Sequence, residues 1–586
     1  MYPVSLYTSL DVSDPLIRLL ILQPGELGDR IEGNILVVNL DDRPSYEALS
    51  YVWGDSTLEL TVTVAGQPVA VTDNLHAALR HVRYTDRERV LWVDALCIHQ
   101  HDVKEKTRQV GMMGRIYKDS QQCIVWLGET SINETLGFTT EDVRAAFDMI
   151  SLIAEGDLEG GLPVNLSTGT ARKAATSALS GMMLRKNKWW LRIWTIQEAV
   201  LTGQKTIVWG TASISWAKCV EAAKELAGPW EQGHKVVDLL SPELFSWDVN
   251  EFVTPFISLE FTKEDALPLF TAHRWRYREA TDPRDKVYGL VGLVNQAHIP
   301  SINCDYALST ATVFTKFTLD MLRSERSLSP LLGWRGEPHA TPGLPTWVLD
   351  MVRPSPLVNW GCKFWEHYDR YRFFGTDGSS ELVLDTLCNE SVLCLKGIIV
   401  DTVCLVDKGI AVDERVILPN EDFVRVIERR QKILKEFIDA SPETLVTDND
   451  WKNAFWRTMI GDALTYDERV TRRAVSEDAS LFDQFLNSYE WNDAAESLRS
   501  MVLNQSFFIT KSGYLGIGPP HIRDGDVVSV LLGSRVPFIL RPAQGDMTKI
   551  GGRNGFSFIG DSYVHGIMDG ELFPSSEDKI RDVLLF

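Results

Sequence analysis

The sequence predicts an α/β protein: a parallel sheet flanked by helices, followed by a mixed, mainly helical middle region and a small C-terminal β domain. Three observations carry that expectation. Between residues 46 and 210, short apolar runs that end in Gly or an acid alternate with stretches of helical period, as strands and crossover helices of βαβ units do. Past about residue 330 the texture changes to Pro-rich and Trp-rich sequence and then to amphipathic helices over 420–503. The remainder returns to short apolar runs between Gly-rich turns, the spacing of a small barrel. The expected division is 1–325, with an insertion at about 129–180, then 326–503 and 504–586.

Taken in order, Ile17 to Leu22 and Ile35 to Asn39 read as edge strands, and Tyr46 to Asp55 as a short strand that runs out into Gly54-Asp55. Open α/β sheets place ligands at such strand ends. Leu58 to Val71 alternates as a hairpin around Ala65-Gly66-Gln67-Pro68, and Asp73-Asn74 is expected to cap a helix running to about Tyr84. Val90 to Asp94 reads as a buried strand ending in an acid, 95–102 as its loop, and Val103 to Asp119 as a helix with Val110, Met113, Gly114 and Tyr117 on one face. Cys123 to Gly128 and Thr206 to Gly210 are further buried strands. Residues 129–180 are polar with one helical patch near Val143 to Ala154, and Asp282 to Leu290 begins with charged residues that cap another helix. Thr310 to Arg323 reads as a helix closing the first domain; Glu381 to Leu387 and Ser391 to Val406 bracket a turn at Asn389-Glu390.

Composition narrows the function. The 586 residues carry 59 Lys and Arg against 80 Asp and Glu, a formal charge of −21, which argues against a nucleic-acid partner because phosphate binding is driven by cationic side chains. No apolar run reaches the length of a membrane span, and no basic segment followed by an apolar one opens the chain, so a cytoplasmic protein is expected. Eight Cys are scattered without CxxC spacing, so buried free thiols are expected rather than a disulfide framework or a zinc site. His99 and His101, one residue apart and close to Cys97, lack a third ligand at a fixed spacing, which argues against a metal site.

The stretch that organises the first domain is Trp189 to Leu201. Counted at 3.6 residues per turn it reads as one helix, apolar almost all round, with Glu198 as the oddity: no base stands three or four residues away. A carboxylate there either serves a structural network or does chemistry.

These stretches resemble the heterokaryon-incompatibility (HET) domain family of filamentous fungi. The resemblance lies in Tyr46 to Asp55, Leu91 to Gln100, Met113 to Gly128 and Arg192 to Glu198, four ordered blocks, with a further one at Asp282 to Leu293. His99 and His101 depart from the family, which more often has Asn near the first position. HET domains are in turn similar to Toll/interleukin-receptor (TIR) domains, which implies a TIR-like, flavodoxin-like parallel sheet. By that resemblance Trp194 and Glu198 fall on the start of the TIR helix whose Glu is catalytic in NAD glycohydrolases. It implies NAD as the substrate with no cofactor or metal, Glu198 as the catalytic residue, and Ser50, Tyr51, Trp53, Gly54, Asp55, Asp94, Gln100 and Trp194 as substrate contacts. Alternatives stay open at each: Tyr51 and Trp53 as core aromatics, Asp94 as a brace for its own loop, Gln100, Asp102 and Arg115 as capping or orienting groups. Self-association or an incompatibility partner protein is implied, as is a cell-death role; the alternative is a non-catalytic signalling module that recruits partners.

Overall fold

The computed structural model describes residues 7, 10, 14–54, 59–130, 138–156, 162–183, 186–228, 247–264, 267–333, 340–352, 363–411, 418–440, 451–466, 470–543, 549–550, 553–573 and 577–586. The chain divides into two compact units, Met1–Leu308 and Ser309–Phe586.

Among its described residues the first unit is built on nine strands: β1 Leu16–Leu22, β2 Glu32–Asn39, β3 Glu47–Ser50, β4 Glu59–Val64, β5 Gln67–Thr72, β6 Arg89–Trp92, β7 Cys123–Trp126, β8 Lys205–Trp209 and β9 Ala212–Ser215. They lie in the order β5-β4-β2-β1-β6-β3-β7-β8-β9. The central four, β6-β3-β7-β8, are mutually parallel. Every residue of β7 is buried, as a strand covered on both faces requires. Both flanks contain antiparallel pairs, so the sheet is mixed rather than parallel throughout. The reason is local. Ala65 and Gly66 both have positive φ, the two-residue turn that folds β5 straight back on β4.

Among the described residues ten α-helices accompany this sheet: α1 Asp73–Val82, α2 Asp94–Cys97, α3 Val103–Asp119, α4 Thr140–Glu155, α5 Gly169–Met182, α6 Trp194–Leu201, α7 Trp216–Ala227, α8 Trp247–Glu264, α9 Pro268–Trp275 and α10 Asp285–Val291. Four expectations are corrected. The cap of α1 is Thr72, whose hydroxyl accepts from the Leu75 amide, and Asn74 is used elsewhere. Residues 94–97 form a helical turn instead of open loop. The insertion at about 129–180 holds two helices, α4 and α5, because the small-residue run of α5 buries Ala175, Ala178 and Leu179.

The fourth correction concerns the organising stretch, which is not one helix. A short 3-10 turn covers Lys188–Leu191, Arg192 is extended, and α6 begins at Trp194. Arg192 forms an isolated parallel bridge with Glu279, and the Ile193 amide donates to the Glu279 carbonyl at 2.9 Å. A backbone partner from outside the segment therefore outcompetes the next intrahelical bond.

In the second unit, the expected turn is present, with Cys388, Asn389 and Glu390 all at positive φ between strands Leu384–Leu387 and Val392–Lys408. The 17-residue strand Val392–Lys408 pairs in turn with Arg581–Leu585, Val527–Leu531 and Ser506–Thr510. Register shifts between Ile399 and Asp401 and between Val403 and Leu405 let it bend from one partner to the next. With Phe538–Pro542 and Phe556–Asp561 these strands close a barrel filled by Val403, Phe508, Val528, Val530, Ile539 and Ile559. One barrel strand thus comes from well before residue 504. The helices Asn420–Ala440, Trp451–Met459, Ala479–Ser488 and Asp493–Val502 match the amphipathic run, and a small hairpin, Ala463–Tyr466 with Val470–Arg473, interrupts it. Among the described residues no helix is long and apolar enough to cross a membrane.

Candidate functional site

The chain leaves β3 toward β6 on one side and returns to β7 on the other. The carboxyl end of β3 is therefore a topological switch point, where diverging connections open a crevice. Ser50 is the last residue of β3 and is buried. Its hydroxyl donates to Glu198 Oε2, and it accepts a 2.7 Å hydrogen bond from the Trp189 indole. Glu198, on α6, is only 3% exposed. Sequence positions 50, 189 and 198 thus meet at one point.

Burial pushes the Glu198 carboxyl up from about 4.5 to about 7. The Arg192 charge and the Ser50 hydroxyl pull it back down, while Asp94 pushes it further up. Arg192 is itself held in place, its guanidinium donating to the Tyr51 carbonyl. Tyr117, on α3, anchors β3 through a 3.3 Å bond from its hydroxyl to the Leu49 carbonyl. The outcome is a carboxylate in dry surroundings that titrates near neutrality.

Above it the exit of β3 is braced at several points. Asn74 donates to the Val52 carbonyl at 2.6 Å and accepts from the Trp126 indole at 3.0 Å. Gly54 sits at φ +79°, and a Cβ there would lie 3.0 Å from an Asp73 carboxylate oxygen, so both backbone and space favour glycine. Trp53 is 40% exposed, with its indole N–H donating 2.7 Å to Asp94 Oδ2. The other Asp94 oxygen accepts from the Ala95 amide at 2.8 Å, and Gln100 donates 2.9 Å to the Asp94 carbonyl. Asp94 and Gln100 therefore brace the rim, and Trp53 presents a ring face whose one polar atom is already occupied.

The structure brings Ser50, Tyr51, Trp53, Gly54, Asp94 and Gln100 to this strand end with Glu198, while Asp55 lies outside the described residues. Trp194 turns elsewhere: its indole donates 3.2 Å to Asp285, which also accepts 2.6 Å from the Tyr306 hydroxyl. Tyr51 is fully buried and contributes its carbonyl to Arg192. Asp102 caps α3, accepting from the Lys104 and Glu105 amides. Arg115 pairs with Asp41 and Asp119 at the surface. His99 stacks on Tyr7 with ring centroids 4.7 Å apart, and burial drives the Cys97 thiol up to about 12. Of the other described thiols Cys388 is exposed.

Three contributors were not foreseen. Trp189 reads in sequence as core, and its packing against Trp190 and Trp216 confirms that, yet its N–H is what Ser50 accepts. Arg192 stands six residues before Glu198, out of reach along a helix, and acts only because the helix breaks there. The third is a buried ion pair, Arg18 with Glu105 at 2.5 and 3.0 Å; Glu105 also accepts 2.7 Å from the His99 amide. It ties β1 to the loop that follows Asp94. A groove of about 540 Å³ is lined by Val110, Gly114, Lys118, Gln197, Leu201 and Gly292 among others, and neither Ser50 nor Glu198 lines it.

The family model described as Heterokaryon incompatibility protein (HET) matches residues 46–198, the segment that runs from β3 to Glu198. A second, described as Het-6 beta-barrel domain, matches residues 494–585. Heterokaryon incompatibility protein 6, OR allele, of Neurospora crassa is 27% identical across 97% of this chain and 96% of its own length. No solved structure matches the chain significantly.

Proposed function

Because this chain belongs to the fungal heterokaryon-incompatibility (HET) proteins, with a HET domain at 46–198 and a Het-6 β-barrel at 494–585, we propose that it is a NAD glycohydrolase acting as a cell-death effector in non-self recognition. The observation that carries the reading is Glu198: a buried carboxylate titrating near 7 at the carboxyl end of the switch strand. The order of the parallel strands, with the first between the second and third, is that of flavodoxin-like sheets and supports the TIR-like resemblance.

NAD suits such a site chemically. Its nicotinamide is bound to ribose as a pyridinium and departs neutral, taking the electron pair of the C–N bond, so no general acid is needed. Water then adds to the ribose carbon and releases a proton. The site must supply negative charge against the oxocarbenium-like ribose in dry surroundings, which an ionised Glu198 at this strand end does. Completion of the site by a second copy or an incompatibility partner in the cytoplasm belongs to the same reading.

A second reading, a non-catalytic module that recruits partners, is favoured by one observation: neither Ser50 nor Glu198 lines the 540 Å³ groove. Chromatographic measurement of nicotinamide release at high protein concentration separates the two. The glycohydrolase reading expects release by the native protein, kcat/KM rising with pH through about 7 as Glu198 ionises, and no release by folded Glu198→Gln. Silence from the native protein, also when clustered, rejects it in favour of the module.

A further inference from the structure

Trp189 and Glu198 are nine residues apart. Along an unbroken helix nine residues make 2.5 turns, which sets their side chains on opposite faces. The break at Arg192 brings both onto Ser50. Trp189 is held in place by its surroundings: it is fully buried, packs edge-on against Trp190 at 4.8 Å between centroids, and its carbonyl accepts a 3.1 Å bond from the Thr195 hydroxyl.

An indole N–H only donates, and a serine hydroxyl has one proton to give. Because Ser50 Oγ accepts from Trp189, its own proton is directed at Glu198 Oε2. Were Glu198 to put a proton on that oxygen, the Ser50 hydroxyl would lose its acceptor in a buried site, at the cost of an unsatisfied donor. A proton on the other oxygen leaves the bond in place but with a weaker acceptor, so the arrangement favours the ionised carboxylate.

From this geometry we propose that Trp189 and Ser50 are positioning residues for Glu198, a directed relay that fixes its orientation and favours its ionised form. Ser50 then acts through Glu198 instead of contacting the substrate. The catalytic consequence rests on the glycohydrolase reading; the relay itself does not. The other groups that act on Glu198 are Arg192 ahead of α6, Asp94 after β6 and Tyr117 on α3, and the Cys123 thiol on β7 feels its charge.

The test titrates Glu198 in the full chain by pH-dependent infrared difference spectra of its carboxyl band, identified by its loss in Glu198→Gln. Ser50→Ala removes the hydroxyl with little change in volume and is expected to move the midpoint up by about one pH unit, a tenfold gain in proton affinity. Ser50→Thr, which keeps the hydroxyl, is expected to restore it. Trp189→Phe, which keeps an aromatic ring without the N–H, is expected to shift the midpoint in the same direction by less. An unchanged midpoint in folded Ser50→Ala overturns the proposal. Where NAD is cleaved, the acid limb of kcat/KM moves with the infrared midpoint. Absence of cleavage in every variant removes the glycohydrolase reading while the infrared result still decides the relay.

Discussion

Replacing Glu198 by Gln should stabilise the first unit at alkaline pH, a result opposite to that of most buried polar substitutions. A carboxyl whose folded value lies above its unfolded one holds its proton more tightly in the folded state. The stability it contributes is thus fully present below about 4.5 and is lost as pH rises through about 7. That interval corresponds to about 3 kcal/mol by pH 8. Gln approximates the neutral acid in shape and still accepts from Ser50, but it brings amide hydrogens of which one left unpaired offsets about 1 kcal/mol. The net expectation at pH 8 is a gain of about 2 kcal/mol, on the order of 5 °C in the melting temperature, shrinking to under about 1 kcal/mol at pH 5. Thermal unfolding followed by circular dichroism at the two pH values, wild type against Glu198→Gln, reads it directly. A variant that melts below wild type at pH 8, or whose advantage is equal at both pH values, refutes the reasoning and makes Glu198 a stabilising structural acid.

Two further outcomes are expected. Glu105→Gln leaves the fully buried Arg18 without its anion while the amide oxygen still accepts from the His99 amide; it should cost about 3–5 kcal/mol in thermal unfolding, and a loss below about 1 kcal/mol would mean that water reaches the pair. Trp53→Leu, at a 40% exposed position, should leave stability within about 0.5 kcal/mol and, on the glycohydrolase reading proposed above, raise KM for NAD roughly tenfold with kcat little changed, as expected for a lost stacking face, and a fall in kcat alone would exclude a stacking role.

Much of the first unit was legible because its strands are short, apolar and punctuated. Cys123–Trp126 is buried on both faces and can be little else, and α3 was predicted with the bounds it has, since Asp102 caps its start and a steady 3.6-residue period fills its length. The signal failed where a partner distant in sequence decided the local structure. Nothing in Trp189 to Leu201 announces a break at Arg192, because the group that causes it is the backbone of Glu279. Asn74 looks like a helix cap and is drawn instead to the Val52 carbonyl and the Trp126 indole.

The same division runs through the candidate site. From sequence alone Glu198 stands out as a carboxylate without a local counter-charge in an apolar segment, and Tyr46 to Asp55 as a strand ending in a turn, since composition and period along the chain are local properties. Only the tertiary structure decided that Ser50 and Trp189 meet Glu198, that Arg192 tempers its titration, and that Asp94 and Gln100 brace the rim, because orientation and dielectric are set by neighbours from other segments. Sequence determined which residue was strange; the fold determined what surrounds it and hence how it ionises.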